Sequence, residues 1–172
     1  MIGKHDVSAP GAVRACLGIL LAAALLLPST PAWPQAARSA FAGLSGSWSG
    51  DGTVVLANGA KEPIRCRATY VTGRSERTLH NELNCEREQL RFEIVLDLTL
   101  SSGRIGGTWL ERTRDMRGTI SGEAAAGRIR GVVTAPNYAA SVIITTRGRQ
   151  QSVLIRPQEN EIVEVAIEMR KR

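Results

Sequence analysis

Residues 90–100 read Leu-Arg-Phe-Glu-Ile-Val-Leu-Asp-Leu-Thr-Leu. Every even position is apolar: Leu90, Phe92, Ile94, Leu96, Leu98 and Leu100. The odd positions carry charge, a hydroxyl or, at Val95, a β-branched side chain. A helix would spread those apolar residues around its circumference. An extended chain, whose side chains alternate between two faces, gathers them on one side. The segment is therefore read as a strand with one buried and one wet face. The C-terminal stretch repeats the pattern, with Val163, Val165, Ile167 and Met169 alternating with Glu164, Ala166 and Glu168.

Outward from these two strands lie weaker runs at short spacing: Ser47–Leu56, Ile64–Thr72, Thr78–Glu86, Ile105–Arg112, Gly118–Gly122, Arg128–Thr134, Ala139–Thr146 and Gln151–Arg156. Turn signals separate them, among them Asn58-Gly59, Ser102-Gly103, Ala126-Gly127 and Arg147-Gly148. Parallel strands need long crossovers, and these links are too short for them. The fold class that follows is all-β: an antiparallel meander of eight to ten short strands, closed or nearly closed into a small barrel. Glycines at alternate positions, as in Gly46-Ser-Trp48-Ser-Gly50 and Gly103-Arg-Ile105-Gly-Gly107, mark a strongly curved sheet.

The chain has 172 residues, 43% hydrophobic and 22% charged, enough for one ordinary core and unlike a disordered or polytopic protein. Lys4 and Arg14 precede an uncharged run from Ala15 to Leu27, and Pro28 ends it. Thirteen residues of helix reach about 20 Å, too short for a bilayer core. With the small residues that follow, this is the pattern of a secretory signal. The expected organisation is residues 1–36 as a cleaved signal peptide, 37–44 as a short lead and 45–172 as a single barrel domain. The lead's small residues, Ala36 to Gly43, suggest a short helix. The expected location is the periplasm, with release outside the cell as the alternative, and no transmembrane span is expected in the mature chain.

Past the signal only Cys66 and Cys85 remain, and an even pair in an exported chain forms a disulfide. Setting them opposite each other antiparallel also places Ala68 against Leu83 and Thr72 against Leu79, around a turn near Gly73–Glu76. Neither a CxxC spacing nor a histidine cluster accompanies them, so a metal or redox role is not expected.

The Gly46-x-Trp48 start of a short-strand meander resembles the calycin-like barrels, lipocalins and avidins among them. That resemblance implies that Trp48, flanked by Gly46 and Gly50, plugs one barrel end, with a late arginine such as Arg156 or Arg170 packed across it. The chain also resembles a family of exported proteins of Gram-negative, mainly alphaproteobacterial, bacteria. The resembling pieces are Gly46–Gly52, Cys66–Tyr70 and Gly103–Trp109. That family implies a fold and a location and no activity.

No catalytic constellation stands out. His80 is the only histidine past the signal, on a strand face with Glu82, Asn84 and Glu86, and no nucleophile elbow is present. Glu82, Glu93, Asp97 and Glu111 are read mostly as solvent-facing charges. The expectation is a protein that is not an enzyme, with no cofactor and no metal. A ligand entering the barrel would do so away from Trp48, near Tyr70, Phe92 and Trp109.

The basic surplus is almost all arginine, 19 of 22 basic residues, for a net charge of +6. Arg65/Arg67, Arg112/Arg114, Arg128/Arg130 and Arg147/Arg149 are spaced by two, which puts each pair on one strand face. Such pairs suit phosphate or carboxylate groups, hence an anionic envelope partner. Export and the 4% aromatic content argue against nucleic acid. The expected function is binding of a small or anionic envelope ligand. The alternative is an inhibitor of an envelope or foreign hydrolase, acting through a turn at Gly73–Arg77 or Thr113–Arg117.

Overall fold

Strand alternation becomes a closed wall in the computed structural model, which describes residues 39–88 and 90–172. Ten strands follow one another: β1 (Gly46–Leu56), β2 (Lys61–Thr72), β3 (Thr78–Arg87), β4 (Leu90–Ser101), β5 (Arg104–Glu111), β6 (Met116–Ala125), β7 (Arg128–Ala135), β8 (Tyr138–Arg147), β9 (Gln150–Pro157) and β10 (Ile162–Lys171). Each pairs antiparallel with its sequence neighbours, and β1 pairs with β10, so the meander closes with no free edge. The expected signal peptide, residues 1–36, and the start of the lead lie outside the described residues.

Alternation decides which side chains enter. On β2, Ile64, Cys66, Ala68 and Tyr70 are buried while Arg65, Arg67 and Thr69 are exposed. On β4, Leu96 and Leu98 are buried and Phe92 and Ile94 are half-buried, so the inward face is drier at one end than at the other. Cys66 and Cys85 sit directly opposite in the β2–β3 register, with Ala68 against Leu83 and Thr72 against Leu79. They form a disulfide, closing a loop of 19 residues inside the barrel. In the chain-entropy account such a loop stabilises by about 3 kcal/mol.

The lead differs from the expected helix. Residues 40–44 form a turn, with Leu44 N–H donating to the Phe41 carbonyl at 3.2 Å. Phe41 and Leu44 are 0% and 1% exposed, so this turn belongs to the core. An apolar side chain gains more by entering the barrel end than the small residues gain from helix propensity.

Several strand glycines face a neighbouring backbone at very close range. A Cβ on Gly107 would lie 1.8 Å from the Asp97 carbonyl oxygen, and Gly50 and Gly118 meet Glu168 and Thr134 in the same way. Gly106, one residue away, would meet nothing within 4 Å. These two neighbours give opposite expectations. Gly107→Ala should destabilise by about 1–3 kcal/mol through overpacking. Gly106→Ala should be neutral or stabilise by up to about 1 kcal/mol through the unfolded state. Urea midpoints of the two variants check this; equal loss in both would contradict the close approach at Gly107.

Candidate functional site

The two barrel ends are built differently. At the first, Trp48 is 1% exposed and donates its indole N–H to the Leu44 carbonyl at 2.8 Å. Phe41 and Leu44 share the same buried core. Tyr70 meets the Trp48 ring edge-on at 6.2 Å and donates its hydroxyl to Gln151 Oε1 at 2.7 Å. Gln151, 1% exposed, donates in turn to the Thr146 hydroxyl at 3.1 Å. Burial pushes the Tyr70 phenol well above its ordinary pKa, outweighing the Gln151 hydrogen bond, so it stays a neutral donor. The cation over Trp48 is Lys171, whose ammonium lies 5.7 Å from the ring centroid and donates to the Gly43 carbonyl at 2.8 Å. Neither Arg156 nor Arg170 takes that place. Arg156 is exposed and pairs with Glu164 at 3.0 Å, and Arg170 alternates to the outer face.

The opposite end is open. A cavity of about 560 Å³ has walls that include Ile64, Leu83, Phe92, Ile94, Trp109 and Ile155. Arg114, Asn137, Asn160 and Glu161 stand among its polar lining residues. A smaller space of about 90 Å³ continues inward and shares Leu83, Ile94, Trp109, Tyr138 and Ile155 with it. Phe92 and Trp109 thus line the mouth, while Tyr70 borders the inner space. Tyr138 packs on Trp109 at 5.6 Å, which narrows the passage between the two.

Glu111 corrects one reading. It is 3% exposed, not solvent-facing, because Ile105, Gly107, Trp109 and Glu111 share the inward face of β5. Its carboxylate accepts the backbone N–H groups of Glu93 (3.2 Å), Thr113 (3.1 Å) and Arg114 (2.8 Å), and the Thr113 hydroxyl. Burial alone would raise its pKa, but these hydrogen bonds outweigh that and hold it below the ordinary glutamate range. Arg114 lies 3.5 Å away, with its guanidinium over the Phe92 ring at 4.9 Å. One buried carboxylate therefore fixes the turn that forms part of the mouth.

The other arginines are spread over the wall. Arg65 pairs with Asp51 at 3.7 Å, Arg67 with Glu86 at 3.9 Å and Arg112 with Glu82 at 3.3 Å. Arg128 and Arg130 lie on β7, five strands from β2 in a ring of ten, hence on the far side. Arg147 ends β8 and Arg149 lies in the β8–β9 turn, where it donates to the Lys171 carbonyl at 2.7 Å. The pairs are not gathered into one patch. His80 hydrogen-bonds Asp97 across strands at 2.7 Å on the exposed face. Among the described residues no group of three His, Cys, Asp or Glu side chains could hold a metal ion.

Ten antiparallel strands in a closed meander fit a calycin-like barrel. The chain is similar to the solved structure of an S-type phycobiliprotein lyase from Guillardia theta, with a TM-score of 0.47 and 14% identity over 74% of this chain and 88% of that one. No family model matches the chain, and no curated protein does. That protein is named as a lyase, and the expectation that this chain is not an enzyme is withdrawn, with no activity carried over from it. Among the described residues no helix is long and apolar enough to cross a membrane, and the disulfide is compatible with export.

Glu111 sets a pH dependence. A carboxyl whose folded pKa is depressed contributes stability above its unfolded value, about 4.3, and loses it as pH falls through the folded value. Glu111→Gln keeps the size and loses the charged acceptor, at an expected cost of about 1–3 kcal/mol at pH 7. Urea unfolding of both chains at pH 7 and pH 3 should show the gap shrinking in acid. A gap independent of pH would contradict the role given to the carboxylate.

Proposed function

We propose that this chain is an exported, periplasmic binding protein that takes a small, largely apolar ligand into its barrel through the mouth opposite Trp48. The observation that carries this is the apolar cavity of about 560 Å³ with a narrower extension behind it. That size is ordinary for a small-molecule site: apolar walls supply the driving force and a few polar groups set orientation. Phe92, Ile94 and Trp109 form the contact surface. The scattered arginines speak for an uncharged or weakly charged ligand over a strongly anionic one. The export part of the proposal rests on the sequence of residues 1–36 and on the Cys66–Cys85 pair.

A second reading keeps the inhibitor role. The Arg112–Asp115 turn is pinned by Glu111, and a rigid exposed turn loses little entropy when it docks into a hydrolase cleft. The Gly73–Arg77 turn is held by backbone hydrogen bonds, Glu76 N–H to the Gly73 carbonyl at 2.8 Å and Leu100 N–H to the Arg77 carbonyl at 2.7 Å, and by the Ser39 hydroxyl donating to the Glu76 carbonyl at 2.7 Å.

The test is binding of N-phenyl-1-naphthylamine, an uncharged probe that fluoresces in apolar surroundings. The chain should bind it, and Ile94→Trp, which fills the passage shared by both cavities, should weaken binding at least ~10-fold at an unchanged melting temperature. Absence of probe binding, or binding indifferent to Ile94→Trp, would move the account to the inhibitor reading.

A further inference from the structure

The inner cavity is lined by one buried amide, Asn81, of which the fold uses only the nitrogen. Asn81 is 5% exposed on the inward face of β3, between Leu79 and Leu83. Its Nδ2 donates to the Thr69 carbonyl at 3.2 Å, which fixes the amide plane and leaves Oδ1 on the other side. Among the described residues no donor reaches that oxygen. Among the described residues no fully enclosed side-chain nitrogen or oxygen lacks a partner, so Oδ1 is not sealed within the wall. Asn81 lines the 90 Å³ space, whose other walls are apolar apart from the two tyrosines, Tyr70 and Tyr138. Tyr70 already spends its proton on Gln151 and offers only its oxygen to the cavity.

We infer that the inner cavity selects ligands whose leading end carries a hydrogen-bond donor, a hydroxyl or N–H group, received by Asn81 Oδ1 while the apolar remainder fills the mouth. This rests on the reading of the barrel as a ligand site and names the class of ligand it takes. A buried acceptor in an apolar pocket discriminates strongly against a ligand lacking the donor, because its lost hydration is then not replaced.

The experiment displaces N-phenyl-1-naphthylamine with para-heptylphenol and with its methyl ether, which differ in one donor proton. An apolar cavity alone would prefer the more apolar ether, so the sign of the preference is diagnostic. The phenol should displace the probe at a concentration at least ~10-fold lower than the ether. Asn81→Leu should bring the two within about 2-fold while both still displace it. Equal displacement by the unaltered chain, or a preference for the ether, overturns the donor inference and leaves the binding reading standing. Failure of the chain to bind the probe at all overturns both. A phenol preference that survives Asn81→Leu shows that another group receives the donor and overturns the assignment to Asn81. The comparison on the unaltered chain stands even if Asn81→Leu does not fold.

Discussion

Closure of the sheet between β1 and β10 is the constraint on which everything else rests. It gives the outermost strands of the meander their hydrogen-bond partners and turns one face of a curved sheet into an interior. It also brings Trp48 opposite Lys171, at the end where the lead turn enters. The indole, its hydrogen bond to Leu44 and the ammonium above it then join the two ends of the domain into one stopper. With one end filled, the remaining interior space can open only at the other. The asymmetry of the molecule, sealed at Trp48 and open beyond Trp109, follows from where the seam falls.

The interior has few polar side chains, and their treatment separates structure from site. Tyr70 and Gln151 answer one another near the stopper, and Glu111 is saturated by the turn it holds. Groups paired in this way fix geometry and present little to a guest. Asn81 is different because one of its two faces is used by the backbone and the other opens on a cavity. A fold that pairs its other buried polar groups and leaves this one facing empty space has the form of a selective pocket.

Much of this is legible in the residues. The period of two marked the strands, and their expected limits lie within a residue or two of the observed ones except at the start of β2 and the end of β6, which each extend three residues further. The β2–β3 register follows from setting Cys66 against Cys85, because a one-residue slip would expose every partner on that face. What escaped was whatever broke its own pattern. Asn81 interrupts the apolar series Leu79, Leu83, Cys85, and Glu111 ends the series Ile105, Gly107, Trp109; each interruption marks a polar group turned inward. Phe41 and Leu44 lie among small residues, and nothing local says that they enter the barrel end. Lys171 took the place expected of an arginine because strand register, not residue type, decides which cation reaches Trp48.

The central claim, that ligand enters away from Trp48 and lies against Trp109 without reaching the stopper, is open to one direct measurement. The indole N–H signals of Trp48 and Trp109 can be followed by two-dimensional nitrogen–proton NMR during titration with N-phenyl-1-naphthylamine, each assigned by Trp→Phe replacement. The account predicts that the Trp109 signal moves with saturation while the Trp48 signal, held by the Leu44 carbonyl, stays in place. A moving Trp48 signal beside a stationary Trp109 would place the guest at the stoppered end and contradict the account.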